Sequence, residues 1–343
     1  MKLRVLFQTR PDYLKNIAGD TIQLLKTKEY LEKLGVEIDI STATASIKDF
    51  DIVHLFNTTR VKETYKYFMN AKKQQKPVAV STIYWDFSEY SKIPDSPGSL
   101  YKNWLGYQAM RRSVFQGADI LLPNSSLEAD LIRRQHGNTA PYHVVPNGVD
   151  PIFARGRPDD FYRQHGLKDF ILCVGRINPR KNQLALARAL KGSGLPLILA
   201  GPQNDVEYLR KCHREYPGLI ALNHLEHHEL PGLYAAAKVH VLPSWFETPG
   251  LASLEAGLSG CGIVTTDRGS ALEYFGNLAC YCNPGSTASI RSAVTKARSL
   301  PEQTRDALKK HIVKNFLWEN AALETLSAYE KILSDSPNFA RKL

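Results

Sequence analysis

Residues 239–260 read VHVLPSWFETPGLASLEAGLSG, and this stretch decides the fold. Its first residues form an apolar run typical of a buried strand, which we expect to end at Ser244. Thr248 followed by Pro249 is typical of a helix N-cap and a first helical position, so a helix is predicted from Pro249. A buried strand that leads directly into a helix indicates one unit of a parallel α/β sheet.

The same alternation of apolar strands and helical patterns runs along most of the 343 residues. Glycine, proline and charged residues interrupt it at residues 148–168. We therefore predict an α/β protein with two doubly wound Rossmann-like domains whose strand ends face a cleft. The first predicted domain covers residues 1–150, residues 151–168 form a hinge, and the second domain covers residues 169–317.

Composition and charge narrow the class of protein. Apolar residues make up 43% and charged residues 23% of the chain, as in ordinary globular proteins. The net charge of +10 favours anionic partners such as nucleotide phosphates. The basic excess is spread over both halves and no aromatic-basic nucleic-acid signature is present, so nucleic acid is not expected as a partner. We find no secretory or membrane-spanning pattern and expect a cytoplasmic location.

The predicted helix that follows the strand has the features of a phosphate-binding site. Free amides at a helix N-terminus, including those of Gly250 and Leu251, bind anions together with the helix dipole. Glu247 lies in the loop before the helix, and Glu255 lies about two turns into it. Their alternative roles are an N-terminal helix charge and a solvent-facing residue.

A carboxylate beside bound phosphate requires nearby cations. Arg176 and Lys181 follow another predicted strand end of the same domain, and no acidic residue occurs between Arg176 and Lys191. Arginine offers a planar fork to phosphate oxygens and lysine a point charge, which together stabilise a leaving diphosphate. The alternative is a pair of surface cations flanking a turn.

Neither cysteines nor histidines predict a metal site. Cys280 and Cys282 are explained by alternate positions on a short apolar strand, and five cysteines form no disulfide framework. His224, His227 and His228 lack a closing ligand pattern for zinc. We therefore predict no metal and no cofactor.

Taken in order along the chain, these segments resemble the retaining glycosyltransferases of the GT-B class, family four, whose signature is Glu, seven residues, Glu. Glu247 and Glu255 have that spacing. The resemblance continues through Gly175-Arg176 with Lys181, residues 145–150, Pro243-Ser244, Gly257, Gly260, Asp267 and the closing segment 318–329. It also implies that residues 318–343 form a helix that packs back on the first domain.

The resemblance implies an enzyme that moves a hexose from a nucleotide-diphosphate sugar, UDP- or GDP-linked, with retention of anomeric configuration. The acceptor would be a hydroxyl group of a glycan, of a lipid-linked molecule or of another compound. The reaction would belong to polysaccharide or glycoconjugate biosynthesis, and the protein could contact a membrane surface peripherally. The first domain would hold the acceptor. Glu247, Arg176 and Lys181 would be catalytic, and the donor would contact Gly19, Thr248, Pro249, Gly250, Leu251 and Glu255.

The chain departs from the family pattern at two places. Ala18 stands where relatives have the first of two adjacent glycines, which puts a left-handed backbone there in doubt. After the predicted strand 77–82, relatives carry a histidine that this chain lacks. We assign Tyr84, Trp85, Asp86 and His54 to a candidate acceptor or sugar pocket, with core packing of the aromatic side chains as the alternative.

Other classes of protein remain as alternatives at this point. A nucleotide-sugar epimerase or a phosphorylase could have the same two-domain plan. The basic and aromatic segment 101–112 is explained by a core helix with a solvated face, or else by contact with an acceptor or a membrane surface.

Overall fold

The computed structural model describes residues 2–223 and 225–334, with only the backbone at Asp160. These residues divide into two compact units. The first unit comprises residues 2–87, 98–148 and 318–334, and the second comprises residues 88–97 and the described part of 149–317. Each unit is built around its own parallel sheet.

The sheet of the first unit has the order β2-β1-β3-β4-β5, and its described strands all pair in parallel. The strands are short and apolar, and β3 is buried along its whole length. Burial on both faces is expected for a parallel sheet, because the crossover helices cover it. The strands are β1 (Arg4–Gln8), β2 (Glu37–Ser41), β3 (Ile52–Phe56), β4 (Val78–Ser81) and β5 (Ile120–Leu122).

Five helices of the first unit connect or follow these strands. They are α1 (Gly19–Lys33), α2 (Val61–Lys73), α3 (Leu100–Gly106), α4 (Gln108–Gly117) and α5 (Ser126–His136). The start of α5 is set by Ser125, whose hydroxyl accepts a hydrogen bond of 3.0 Å from the Glu128 amide. Such a side-chain cap satisfies an amide that has no partner within the helix.

The sheet of the second unit has the order β11-β10-β9-β6-β7-β8, again with parallel pairing throughout the described residues. The chain runs outward from β6 to β8, returns to β9 beside β6, and then runs outward on the other side. This is the strand order of dinucleotide-binding folds. The strands are β6 (Phe170–Val174), β7 (Leu197–Ala200), β8 (Leu219–Leu222), β9 (Ala237–Leu242), β10 (Gly262–Thr266) and β11 (Cys280–Cys282).

Helices cover both faces of this second sheet. The helices are α6 (Pro158–His165), α7 (Gln183–Leu190), α8 (Val206–Glu215), α9 (Leu230–Ala236), α10 (Leu251–Leu258), α11 (Ala271–Phe275), α12 (Thr287–Arg298) and α13 (Glu302–Asn315). One core cluster contains side chains of α7, α8 and α12, and a second contains side chains of α9, α10 and α13. The predicted fold class of two doubly wound α/β sheets is confirmed.

The last described helix, α14 (Trp318–Ser334), belongs to the first unit. The Tyr329 hydroxyl lies 2.6 Å from Nδ1 of His54 on β3, 275 residues away in the sequence. The return of a closing helix to the first domain is therefore confirmed for residues 318–334. The remaining residues of the predicted segment, 335–343, lie outside the described part of the chain.

Two stretches fall in a different unit from the one the sequence indicated. Residues 151–168, predicted as a hinge, form a 3-10 turn at Pro151–Arg155 and the helix α6 within the second unit. Phe153 and Phe161 hold them there, since both are buried in the core cluster that contains α9. Residues 88–97, predicted to belong to the first domain, pack with the second unit instead.

Candidate functional site

The strand order of the second unit locates a binding crevice. In an open parallel sheet, ligands bind beyond the carboxyl ends of the strands where the direction of strand succession reverses. That point lies between β6 and β9. Arg176 and Lys181 follow β6, and Glu247 follows β9, so the fold brings the predicted catalytic residues to this edge of the sheet.

Lys181 and Glu247 form a close ion pair at this edge. Nζ of Lys181 lies 2.5 Å from Oε1 of Glu247, and Nη1 of Arg180 lies 3.6 Å from the same oxygen. The Glu247 side chain is 6% exposed and that of Lys181 14% exposed. Burial favours the protonated acid, but Lys181 and Arg180 outweigh it, so the pKa of Glu247 lies below its usual value. Glu247 is therefore an anion that accepts hydrogen bonds.

The loop that carries the cations has a constrained backbone. Asn182 adopts a left-handed conformation with φ of 63°, and its side-chain amide donates to the carbonyl oxygens of Pro243 and Pro284 at 3.0 and 2.9 Å. Gln183 donates to the backbone carbonyl of Arg176 at 3.0 Å. These contacts orient Lys181 toward Glu247. Arg176 lies at the start of the same loop and is partly exposed.

The helix after Glu247 begins two residues later than the sequence indicated. α10 begins at Leu251, and Gly250, not Thr248, occupies the N-cap position. The reason is the backbone at Gly250, whose φ of 90° is not helical and is strained for residues with a Cβ. A Cβ at Gly250 would also lie 3.0 Å from Leu242 and 3.3 Å from Oε2 of Glu247. Thr248 and Pro249 therefore form the turn before α10, and the first free amides of the helix lie next to Glu247.

Glu255 lies on α10 and pairs with a buried tyrosine of α9. The Tyr234 hydroxyl donates a hydrogen bond of 2.8 Å to Oε2 of Glu255. Burial raises the pKa of Glu255 to about 7, although the bond from Tyr234 acts in the opposite direction. The carboxyl group is therefore poised between its two protonation states near neutral pH, and hydroxyl donors from a ligand would favour the ionised state.

The sequence interpretation missed two groups that support Glu247 and its loop. Gly269, just after β10, has a φ of 106°, and a Cβ there would lie 2.0 Å from the Glu247 carbonyl oxygen. His240 on β9 is fully buried and accepts a bond of 3.4 Å from the Val174 amide. Burial, together with the positive charge of Lys181, lowers the pKa of His240 to about 3, so this ring is neutral. The sequence signal for Gly269 is a glycine in the loop that follows a buried strand, since glycine permits a close approach of two backbones.

The predicted donor contact in the first unit, Gly19, lies in a loop that Arg10 orders. Gly19 begins α1, and Ala18 before it is extended with φ of −147°, so no left-handed backbone is required there. Arg10, which follows β1, is buried and donates hydrogen bonds to the Asp20 carboxylate at 2.8 and 3.2 Å and to the Asn16 carbonyl at 2.6 Å. Arg10 thereby orders the loop that leads to Gly19, and sequence reasoning missed it.

The structure places His54 and Tyr84, two residues of the predicted acceptor or sugar pocket, in the interior of the first unit. His54 is fully buried, with Nδ1 facing Tyr329 and Nε2 lying 2.9 Å from the Ser81 hydroxyl. Tyr84 is also fully buried and stacks on Trp104 at 5.3 Å between ring centroids. The physical reason is that the apolar surface of both rings packs into the core of the first unit, so the core alternative holds for Tyr84.

Trp85 and Asp86, the other members of that predicted pocket, are partly buried. Trp85 packs against the core cluster of the first unit, and Asp86 accepts a bond of 2.9 Å from Gln135. Glu128 on α5 is buried and accepts bonds from the amides of Tyr84 and Asn124 at 2.7 and 2.9 Å. Burial raises the pKa of Glu128 to about 7.

The composition of the side-chain clusters and of the helices bears on the class of site. Among residues 2–223 and 225–334, no group of three or more histidine, cysteine, aspartate or glutamate side chains could hold a metal ion. His224, one of the three histidines considered above, lies outside the described residues. In the same part of the chain, no helix is both long and apolar enough to cross a membrane.

The chain is similar in sequence to known proteins. Residues 160–314 match the family described as glycosyl transferases group 1. Glycogen synthase of Mycobacterium tuberculosis is 27% identical over 74% of this chain and 65% of its own length. O-antigen chain mannosyltransferase B of Escherichia coli is 30% identical over 47% of this chain and 45% of its own. The chain thus spans about two thirds or less of these relatives.

Solved structures resemble the whole described fold. Sucrose-phosphate synthase from Thermosynechococcus elongatus has a TM-score of 0.82 at 16% identity, with 98% of this chain and 100% of that chain covered. The Anabaena protein HepE, solved in complex with UDP and glucose, has a TM-score of 0.72 at 15% identity, with 96% and 100% covered. Together with the positions of Glu247 and Glu255, these comparisons show that residues 160–314 are similar to the glycosyl transferases group 1 family and that the chain has the GT-B fold.

Proposed function

We propose that this protein transfers a sugar from a nucleotide-diphosphate donor to a hydroxyl acceptor with retention of anomeric configuration. The observation that carries the proposal is the Lys181–Glu247 ion pair at the strand-reversal point, directly before the N-terminus of α10. Cations and free helix amides at one edge suit a diphosphate. The buried carboxylate beside them suits the hydroxyl groups of the attached sugar.

In this mechanism the cations act mainly on the leaving group. Negative charge grows on the diphosphate as its bond to the sugar breaks, and Lys181, Arg180 and Arg176 would stabilise it. An incoming diphosphate competes with Glu247 for Lys181. The Glu247 carboxylate then accepts hydrogen bonds from the donor sugar and fixes the orientation of the reacting carbon.

Glu255 would hold the ribose of the donor. Its oxygen already accepts a hydrogen bond from the hydroxyl of Tyr234, and a second lone pair can accept one from a ribose hydroxyl. This contact is made equally in the ground state and the transition state. It would therefore contribute to donor affinity more than to turnover.

The substrates belong to the proposal as well. The donor would be a UDP- or GDP-linked hexose, and no metal or other cofactor would be required, because protein cations supply the positive charge. HepE was solved with UDP and glucose, and two similar sequences are named glycogen synthase and mannosyltransferase. These names favour a glycan or lipid-linked acceptor in polysaccharide biosynthesis.

An oxygen of the donor diphosphate replaces a dedicated base in this scheme. With the acceptor attacking on the face from which the diphosphate leaves, a diphosphate oxygen can take the acceptor proton. The burial of His54 and Tyr84 is consistent with this, since neither ring is available to a substrate in this structure. Gly19 at the start of α1 would contact the donor phosphates through its backbone.

The proposed location is the cytoplasm, with contact to a membrane surface through α3. On this helix Tyr101 and Leu105 are 42% and 51% exposed, and Lys102 between them is exposed as well. An apolar and basic surface of this kind binds anionic lipid. Co-sedimentation with vesicles containing phosphatidylglycerol tests it, and equal sedimentation of wild type and a Leu105→Ser variant would remove the membrane role.

The decisive experiment measures nucleoside diphosphate release from UDP-, GDP- and ADP-linked sugars with and without candidate acceptors. We expect release that depends on an acceptor, and proton NMR of the product should show the anomeric configuration of the donor. An epimerase would alter the sugar without releasing diphosphate, and a phosphorylase would consume inorganic phosphate. Thermal shift identifies the donor first, because a ligand at about 100 times its dissociation constant stabilises by about 2.7 kcal/mol.

A further inference from the structure

Residues Ser88–Pro97, here called the strap, belong to the second unit although the chain on either side of them belongs to the first. Tyr90 is 6% exposed and begins a short 3-10 turn, Tyr90–Lys92. Near the other end of the strap, Asp95 accepts a bond of 2.7 Å from Nζ of Lys211 on α8. The strap is therefore fastened to the second unit by a buried ring and a charged contact.

A second charged contact ties the strap to the loop after β10. Nε and Nη2 of Arg268 donate to the two carboxylate oxygens of Glu89 at 3.0 and 3.1 Å, across 179 residues of sequence. The guanidinium also contacts Asp267. A two-pronged bond of this kind fixes the orientation of the arginine as well as its distance. Glu89 therefore restrains the conformation of Arg268.

The backbone around Arg268 pairs with the backbone of Glu247. The Arg268 carbonyl accepts a bond of 3.2 Å from the Glu247 amide, and the Ser270 amide donates one of 2.9 Å to the Glu247 carbonyl. Gly269 between them makes this close approach sterically acceptable, as described above. The position of the Glu247 backbone thus depends directly on residues 268–270.

The strap also lies near the cations that flank Glu247. Burial raises the pKa of Tyr90, and the positive charge of Arg180 acts on it in the opposite direction. Arg180 in turn donates a bond of 3.2 Å to the carbonyl of Phe246, directly before Glu247. The strap therefore contacts the Glu247 loop through Arg268 and lies within electrostatic range of Arg180.

We propose that Glu89 is a positioning residue for Glu247, acting through Arg268 and the backbone segment 268–270. Glu89 acts on Glu247 indirectly: it holds the Arg268 side chain, and the Arg268 backbone holds the Glu247 loop. The proposal rests on the proposed function for its kinetic consequence. Its structural consequence, the order of residues 245–250, can be measured independently.

The strongest test compares two substitutions in the same strap. Glu89→Gln keeps the shape of the side chain and removes its charge, and we expect kcat to fall by about 10-fold with donor KM within about 2-fold, because only the orientation of Glu247 changes. Asp95→Asn removes the charge of the other strap contact, which runs to Lys211 on α8 and not to Arg268, and kcat should stay within about 2-fold of wild type.

A charge exchange separates positioning from a local structural role. Arg268→Glu alone should lose activity like Glu89→Gln, whereas the double variant Glu89→Arg with Arg268→Glu should recover at least half of the lost kcat. Recovery requires that the two side chains act through each other. If the double variant is no better than the single variants, or if Asp95→Asn lowers kcat as much as Glu89→Gln, the proposal is overturned.

Hydrogen exchange provides a readout that needs no turnover. In Glu89→Gln, the amides of residues 245–248, Gly250 and Ser270 should exchange faster than in wild type, while Asp95→Asn should leave them unchanged. Unchanged exchange in Glu89→Gln would overturn the proposal even if no donor sugar is found. Wild-type protein that turns over no nucleotide sugar, but shows the expected exchange pattern, would contradict the proposed function and leave the positioning role supported.

Discussion

Nζ of Lys181 and Oε1 of Glu247 lie 2.5 Å apart, although 66 residues separate them in the sequence. Both side chains are largely withdrawn from solvent, so each needs the other to remain charged. This arrangement holds a cation and an anion ready for a diphosphate and a sugar. It also means that replacing Lys181 or Glu247 by an uncharged residue removes a functional group and leaves the charge of the other residue without its partner.

We predict that Glu247→Gln and Lys181→Met each lower kcat by at least about 100-fold, since both groups are assigned to the reacting part of the donor. Steady-state kinetics at saturating donor is the measurement. A folded variant with near-normal kcat would remove that residue from the catalytic assignment.

The control for this prediction is stability. A single substitution in a buried pair leaves an uncompensated charge and costs about 3–5 kcal/mol, whereas the double variant Lys181→Met with Glu247→Gln should regain much of that loss. Urea unfolding of the three variants measures it. Recovered stability without recovered activity would separate the catalytic effect from the structural one.

For Glu255 we predict a pH-dependent affinity for the donor. Its pKa of about 7 in the free protein means that a ribose hydroxyl must bind a partly protonated carboxyl group near neutral pH. Hydroxyl donors favour the ionised form, so donor Kd should fall as pH rises through about 7 and level off above it. Isothermal titration calorimetry with a nucleotide sugar measures donor Kd as a function of pH. The range from pH 5.5 to 8.5 extends about 1.5 units on each side of the Glu255 pKa.

Glu255→Gln is the matched variant for that profile. It should bind the donor more weakly, reduce kcat less than Glu247→Gln does, and lose the pH dependence of Kd. The same variant tests stability: the folded pKa is raised, so wild type loses stability as pH rises from about 4.5 to about 7, and Glu255→Gln should not show this contribution. A donor Kd with the same pH dependence in both proteins would exclude Glu255 as its source.

At Gly269 we predict a loss of both stability and activity on substitution by alanine. The new Cβ would lie 2.0 Å from the Glu247 carbonyl oxygen, so the loop must move. Gly260→Ala is the control, because Gly260 has a similar φ of 93° but open space around a Cβ. Both variants should lower Tm through backbone strain, and only Gly269→Ala should also lower kcat by about 10-fold or more. Equal kcat values for Gly269→Ala and Gly260→Ala would contradict an effect of the Cβ at residue 269 on the Glu247 loop.

Chelation should leave activity intact. Lys181, Arg180 and Arg176 together with the first amides of α10 supply positive charge at the proposed diphosphate position, so a divalent ion has no required role. Turnover should be the same in EDTA as in magnesium or manganese. Activity that EDTA abolishes and either metal restores would reject this part of the mechanism.

Local pattern was sufficient for the fold class and for part of the site. Short apolar runs between helical segments predicted both parallel sheets, because burial on two faces requires a continuous apolar strand. Glu247, Glu255 and the cations after β6 could be found because a parallel sheet brings its strand ends to one edge. The start of α10 was misplaced by two residues, since Gly250 has a non-helical φ of 90° that the Thr-Pro cap pattern does not report.

Tertiary structure alone decided which distant residues meet. Nothing in the spacing of His54 or Tyr84 distinguishes a ring that lines a pocket from one that packs in a core, and their burial followed from Tyr329 on α14 and Trp104 on α3. The strap was likewise assigned to the wrong domain, because its place depends on Glu89 reaching Arg268 across 179 residues. Sequence periodicity reports the local environment of each element, whereas contacts across such separations arise only when the whole chain has packed.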